Sequence, residues 1–469
     1  MLARLSLRLR IFLFFGLLAL GGAALAGGAM YFGWSRMEPP LPTGPFVTAF
    51  LIFAFLNLGF VALVWMLFDE NVARPIDKLA ADLRLCAHSN VAKAVDTEGA
   101  KYLGDLAPAV SAVSTTLSAG VMDSAAHVAR ETGRLQAEAA RLTALLTEIP
   151  VATMLVNEAG EIVLYDGQAA DILSLIAPPR LKAPLTEYFE AECLAAARAQ
   201  LSEAEPEVSF ALRASMGGHA FDARLKRLDE TGFMLVVDVD RAPMSPVSAR
   251  PLVYDFDLLN TEPAAELTET ALRDLCFVVF DTETTGLSTS TDDVVQIGAV
   301  RVLNGRIVPG EVFDSYVDPG RPIPPASTKI HHVSDADVAG APDFAAAGRA
   351  FHAFARGSVL VAHNAPFDLA FFRRYEEAMG VEWAHPVLDT VLISAMTFGI
   401  TEEHSLDALC ERLEVPIPPE ARHSALGDAL VTAEVLVRLL PLLEAKSLVT
   451  LGDVIAEAKQ YGRLLKDLN

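Results

Sequence analysis

The sequence predicts an α/β domain in the C-terminal part of the chain, preceded by two membrane helices, a helical linker and a small α+β region. Three observations carry this. Ile11–Trp34 and Phe46–Phe68 lack charged side chains altogether. Short apolar strands in the second half are followed by segments with helical periodicity. Carboxylates stand where those strands and helices begin or end. With 469 residues the chain has room for several domains, and the boundaries are set at 1–69, 70–146, 147–241, 242–272, 273–445 and 446–469.

Each of the two apolar stretches reaches the ~20 residues that cross a bilayer core of roughly 30 Å. The loop between them, Ser35–Pro45, is too short for a domain, so residues 1–69 read as a transmembrane hairpin. Arg4, Arg8 and Arg10 precede the first span against a single Arg36 in the loop. That asymmetry places both termini in the cytoplasm and the chain in the inner, cytoplasmic membrane as a multi-pass protein. A cleaved signal peptide ending near Ala24-Leu25-Ala26 is the competing reading. The apolar stretch continues to Trp34, which favours an uncleaved span.

Residues 70–146 open with Asn71–Leu79, which resembles the start of a HAMP linker, with Leu103–Leu117 as a degenerate second helix. From Ala125 to Thr147 apolar residues recur at helical spacing between charges. A parallel coiled coil and hence a homodimer is one reading, and a plain helical spacer is the other. Val151–Asn157, Gly160 and Ile162–Tyr165 read as strand, turn and strand. They resemble the first hairpin of a PAS domain, continued by strands at Phe210–Leu212 and Gly232–Asp238. His219 is a lone surface histidine, and nothing in residues 147–241 singles out a cofactor. Pro- and Ser-containing residues 242–272 read as a linker. Cys86, Cys193, Cys276 and Cys410 are too scattered for a zinc ribbon or a redox pair.

The C-terminal domain begins with Phe277-Val278-Val279-Phe280-Asp281-Thr282-Glu283. Side chains alternate along a strand, so Asp281 and Glu283 project from one face as the strand leaves the core. Val294–Val300 and a following strand are joined through Asn304-Gly305, a type I′ turn signal. Val359–Ala362 is a buried strand that leads through His363-Asn364 into a helix with Pro366 and Asp368 in its first turn. A last long helix opens near Pro419–Ala429. His423 and Asp428 are five residues apart and share no helical face, so His423 falls at or before the helix start. Oxygen donors at the ends of separate elements suit Mg²⁺ or Mn²⁺. Two such ions about 3.5–4 Å apart can hold both oxygens exchanged in phosphodiester hydrolysis, and a nearby histidine can take the proton of the attacking water.

These three blocks, with the His-x4-Asp spacing of the last, resemble the exonuclease motifs of the DEDDh nucleases. That branch includes the proofreading epsilon subunit of bacterial DNA polymerase III. The resemblance runs from about Asp274 to Leu443. It implies a ribonuclease H-like fold, a mixed sheet with flanking helices. It also implies 3′→5′ exonuclease activity, two Mg²⁺ or Mn²⁺ ions held by Asp281, Glu283, Asp368 and Asp428, and His423 as general base. Thr284, Gly286, Leu287, Asn364 and Phe367 are candidate contacts to the terminal nucleotide, Leu287 and Phe367 by stacking on its base. Phe367 fits helix packing equally well. Asp389 and His404 read as structural, and His331 and His332 as loop residues.

Residues 273–443 hold 12 Lys and Arg against 24 Asp and Glu, a net charge of −12 within a chain of −23. Nucleic-acid enzymes ordinarily present a basic track. The balance therefore predicts weak, salt-sensitive binding confined to strand ends, with Arg373 and Arg374 as the nearest phosphate-contact candidates. The sequence reading is a membrane-anchored 3′→5′ exonuclease that releases nucleoside 5′-monophosphates from single-stranded DNA. The alternatives are an RNA- or oligonucleotide-degrading enzyme of the same family, and a membrane sensor that uses the nuclease fold only for binding. No polymerase region or clamp-binding peptide is visible.

Overall fold

The computed structural model describes residues 7–36, 42–88, 101–104, 106, 109–113, 151–202, 205–229, 232–238, 252–260, 266–418, 422–465 and 468–469. The chain divides into two compact units, Met1–Asp123 and Ser124–Asn469.

In the first unit, helices α1 (Leu7–Ser35) and α2 (Gly44–Phe68) are long and apolar enough to cross a membrane by length and composition. They lie side by side in opposite directions. Asn57 Nδ2 donates to the Ala19 carbonyl at 2.9 Å, Phe12 meets Trp65 edge-on at 5.1 Å, and Arg8 grips both carboxylate oxygens of Asp69 at 2.6 and 2.7 Å. Asp69–Ala73 forms a π-helical turn that leads into α3 (Arg74–His88). The segment read as a HAMP opening therefore spans this turn and α3. The proposed coiled coil at 125–147 lies outside the described residues.

The second unit contains two sheets. The smaller domain has strands β1 (Val151–Asn157), β2 (Ile162–Tyr165), β3 (Glu207–Arg213), β4 (Ala220–Asp229), β5 (Gly232–Asp238) and β6 (Val253–Tyr254). All neighbours are antiparallel, in the order β3-β4-β5-β1-β2-β6. Ala152, Met154 and Val156 alternate inward along β1, as a half-buried strand requires. Part of the segment read as linker is built into this domain, because β6 pairs with β2 and Leu258 is fully buried in its core. The reason is local composition: Pro and Ser mark the flanks, and only pairing with β2 reveals the short strand.

The C-terminal domain is a five-stranded mixed sheet, β11 (Val387–Asp389), β10 (Val359–Ala362), β7 (Cys276–Thr284), β8 (Val294–Leu303) and β9 (Arg306–Tyr316), in that spatial order. β10 runs parallel to β7 and β11, and β7, β8 and β9 form an antiparallel meander. Asn304 and Gly305 both have positive φ, 49° and 68°, as the I′ turn demands. Helices α4 (Phe344–Ala355) and α5 (Ala365–Arg374) cover one side of the sheet with an aromatic core. In it Phe372 lies 4.7 Å from Trp383 and 5.3 Å from Phe351. Helix α6 (Thr390–Phe398) follows β11, and α7 (Leu406–Leu413) leads to the long α8 (Ala425–Glu444), which packs across β7 and β8.

The two domains of this unit share an interior. Cys276, Leu303 and Val308 belong to the small domain's core cluster. Glu311 on β9 is buried, pairs with Arg301 on β8 at 2.9 Å, and accepts hydrogen bonds from the Tyr165 hydroxyl at 3.0 Å and from the Leu181 N–H. Arg301 Nη2 returns a bond to the Leu181 carbonyl at 3.1 Å. The small domain and the catalytic domain are thus joined through a charged, buried seam.

Candidate active site

Asp281 and Glu283 leave β7 on one face, opposite Gly298 and Gln296 of β8 in the strand register. Gly298 has a reason to be glycine. A Cβ there would stand 2.0 Å from the backbone nitrogen of Leu426, so the bare strand lets the start of α8 lie directly against it. Gln296 completes the seat, its Oε1 accepting the Ala425 N–H at 3.3 Å while its Nε2 donates to Asp314 at 2.8 Å. Ser424 caps α8 by accepting the Gly427 N–H at 3.2 Å, and Asp428 follows in the first turn. As a result, carboxylate oxygens of Asp281, Glu283 and Asp428 lie within 4.8 Å of one another.

Asp368 arrives from the other side. Asn364, at φ 70°, turns β10 into α5, which places Asp368 in that helix's first turn, buried, with one oxygen accepting the Thr282 hydroxyl at 2.5 Å. It lies close enough to raise the Asp281 pKa electrostatically, although it stands outside the tight group of three. His423 is exposed in the turn ahead of α8 at φ 56°, on no regular element. Arg422 beside it reaches Asp407 of α7 at 2.6 Å and stands 3.8 Å from Asp428 Oδ1.

The electrostatics are those of an uncompensated acidic centre. Burial, then the charges of Asp368, Glu283 and Asp428, hold the Asp281 carboxyl well above its ordinary range. Burial, followed by Asp428 and Asp368, pushes Glu283 up to about 8. Burial also raises Asp368, against the Thr282 hydrogen bond, and raises Asp428, against Arg422 and His423. Asp428 Oδ1 is buried without a hydrogen-bond partner. An all-oxygen donor set of this kind, with a buried oxygen left over, fits a hard divalent cation.

The candidate nucleotide contacts lie at the end of β7, in the loop after it and at the start of α5. The Thr284 hydroxyl donates to the Gly286 carbonyl at 2.7 Å, and a Cβ on Gly286 would stand 2.4 Å from an Asp292 oxygen. Leu287 projects from the loop 88% exposed. Asn364 is exposed, and Phe367 is half-buried with its ring edge-on to Phe371 at 5.3 Å. Arg374, expected as a phosphate contact, is committed elsewhere. It donates to the Thr289 and Asp292 carbonyls at 2.6 Å and to Asp293 at 2.7 Å, and with Arg321 it clamps the loop that carries Leu287. Arg373 is exposed. Asp389 is structural, accepting the Ala365 N–H at 2.6 Å and the Val391 N–H at 2.8 Å at the starts of two helices. His404 is buried against Ser394 Oγ at 2.8 Å, and His331 is buried and accepts the Val333 N–H.

Comparison with known proteins places the carboxylates of this cluster within a matched family region. The family profile described as Exonuclease matches residues 278–436. The DNA polymerase III subunit epsilon-like protein of Rhodobacter capsulatus is 33% identical over 701 aligned positions that take in 100% of both chains. The chain belongs to this DNA polymerase III epsilon-like family. Its exonuclease domain is also similar to part of the PolC-type DNA polymerase III of Caldanaerobacter subterraneus, 37% identical over 184 residues, which are 39% of this chain and 13% of that one. Among solved structures, exonuclease X in complex with 5′ overhanging duplex DNA is 27% identical, with a TM-score of 0.29, covering 38% of this chain and 98% of that one. E. coli exonuclease I with a dT13 oligonucleotide is 17% identical, with a TM-score of 0.32, covering 35% and 40%. With the family profile matched over 278–436 and its five-stranded mixed sheet, the C-terminal region has the mixed α/β, ribonuclease H-like exonuclease fold.

Several residues that shape the exonuclease site escaped the motif reading: Gly298 and Gln296 under α8, Thr282 on Asp368, and the Arg321–Arg374 clamp. Gly298 alone carried a signal, since glycine inside a valine-rich strand marks close approach by another backbone.

Proposed function

We propose that the exonuclease domain removes nucleoside 5′-monophosphates stepwise from the 3′ ends of single-stranded DNA, held at the cytoplasmic face of a membrane. The convergence of Asp281, Glu283 and Asp428 within 4.8 Å, with Asp368 beside them, carries this reading. When bound, a pair of Mg²⁺ or Mn²⁺ ions supplies the positive charge that stabilises the attacking and leaving oxygens. Asp281 and Glu283 hold that pair from β7, and Asp368 and Asp428 complete the donor set from two helix starts. His423, exposed beside the cluster, accepts the proton of the attacking water. Leu287 and Phe367 stack on the terminal base, while Thr284, Gly286 and Asn364 shape the backbone around it. RNA is the alternative substrate, and the domain's negative charge favours contact with strand ends over long tracts.

The front of the chain supports a membrane-anchored, regulated enzyme. The two apolar helices agree in length with a spanning hairpin. Strands at 151–157, 162–165, 207–213 and 232–238 agree with a PAS-like domain, and we assign the HAMP-like and coiled-coil segments to homodimer formation on sequence grounds. The test separates chemistry from metal binding. His423→Ala should lower turnover of a single-stranded oligonucleotide by at least about 100-fold while Mn²⁺ binding, read by calorimetry, stays unchanged. Loss of both together would make His423 a ligand and refute its role as base.

A further inference from the structure

The backbone of His423 meets Asp428, but its imidazole stands outside any helix or strand. The residue lies on a turn rather than a helix, exposed, in the left-handed region at φ 56°, which costs a non-glycine residue roughly 1–2 kcal/mol. A general base must nonetheless sit within hydrogen-bond reach of the water it activates. The residue before it, Arg422, ties this turn to a separate helix. Arg422 Nη2 reaches both oxygens of Asp407, at 2.6 and 2.7 Å, across 15 residues of sequence to the first turn of α7. Its Nη1 faces Asp428 Oδ1 at 3.8 Å, too far for a hydrogen bond. Asp428 thereby keeps that oxygen free for a cation, while the guanidinium is anchored on the opposite helix.

We propose that Asp407 and Arg422 are positioning residues: their ion pair fixes the turn that carries His423 over the metal-binding carboxylates. This deepens the proposed nuclease reading and rests on it. Helix α7 supplies the anchor because its own seat is firm, with Leu409, Cys410 and Leu413 buried beneath it. Asp407 acts on the geometry of proton transfer from outside the donor set, whereas Arg422 also faces Asp428, so Asp407 reports on turnover separately from metal affinity.

The experiment uses the full chain in detergent micelles with a 5′-labelled single-stranded oligodeoxynucleotide and Mn²⁺, comparing wild type, Asp407→Asn, Asp407→Glu, Arg422→Gln and the Asp407→Asn/Arg422→Gln double variant. Asp407 is largely exposed, so its substitution leaves the fold intact. The expected result is a fall in kcat of about fivefold or more for each single variant, with KM within about twofold of wild type and, in Asp407→Asn, calorimetric Mn²⁺ affinity within about twofold as well. Asp407→Glu should recover most of the rate, and the double variant should be no worse than either single one. Wild-type kcat in Asp407→Asn, losses that add in the double variant, or weakened Mn²⁺ binding with kcat intact at saturation would overturn the proposal while the nuclease reading stands. A wild-type chain that cleaves no strand under these conditions would overturn both.

Discussion

At the scale of single residues, the site depends on what is missing at position 298 as much as on what is present at 281, 283, 368 and 428. Gly298→Ala places a methyl group where the α8 backbone lies. Overpacking of this kind costs about 1–3 kcal/mol, and here it pushes Asp428 away from Asp281. The variant should fold with a lowered Tm and lose most of its activity, which differential scanning fluorimetry and a nuclease assay would register. The carboxylates make a second prediction, with a definite sign. Their folded pKa values are raised, Glu283 to about 8, so the metal-free protein binds more protons folded than unfolded. Its stability is therefore greatest below about pH 4 as far as these groups are concerned, and is lost as pH rises towards 8. Added Mg²⁺ should restore Tm, and by more at pH 8 than at pH 5. Asp281→Asn should raise Tm in EDTA and abolish the Mg²⁺ effect; an equal Mg²⁺ response in the variant would remove Asp281 from the metal site.

At the scale of elements, the β8–β9 hairpin joins the two domains of the second unit. Gln296 and Gly298 seat α8 at one end of β8, while Arg301, further along the same strand, meets Glu311 and the Leu181 carbonyl, and Glu311 accepts from the Tyr165 hydroxyl. Glu311→Gln leaves Arg301 buried without its counter-charge, a loss of about 3–5 kcal/mol. Tyr165→Phe removes one hydrogen bond from Glu311 and should cost about 1–2 kcal/mol. Urea unfolding of both variants would check that ranking, and a neutral Glu311→Gln would mean that the seam is not a buried ion pair. Much of the site was legible in sequence because it is local. Alternation along β7 put Asp281 and Glu283 on one face, the five-residue gap placed His423 off the helix, and Asn304-Gly305 marked its turn. The seam was not legible. Charged residues such as Arg301 and Glu311 ordinarily face solvent, and their partners here lie 120 and 146 residues away in sequence. The Asp407–Arg422 pair was hidden for the same reason, since periodicity reports the face of one element and not which face of another it meets.

At the scale of the molecule, an exonuclease domain of negative charge is fused to a small antiparallel domain and follows two apolar helices. If those helices span the bilayer as proposed, the chain should resist extraction by high salt and alkaline carbonate and be released by detergent; release by carbonate would refute the anchor. Binding to single strands should be weak and fall with salt in proportion to its few phosphate contacts, by about 0.7 log unit per contact for each tenfold rise in salt. The central claim is tested most directly by hydrolysis of 3′-labelled and 5′-labelled single-stranded DNA and RNA by the full chain with Mg²⁺ or Mn²⁺, with Asp281→Ala as control. Immediate loss of the 3′ label and a ladder of shortening 5′-labelled products that favours DNA are expected, and neither with the variant. Internal cuts, loss from the 5′ end, or no cleavage with either metal would contradict it.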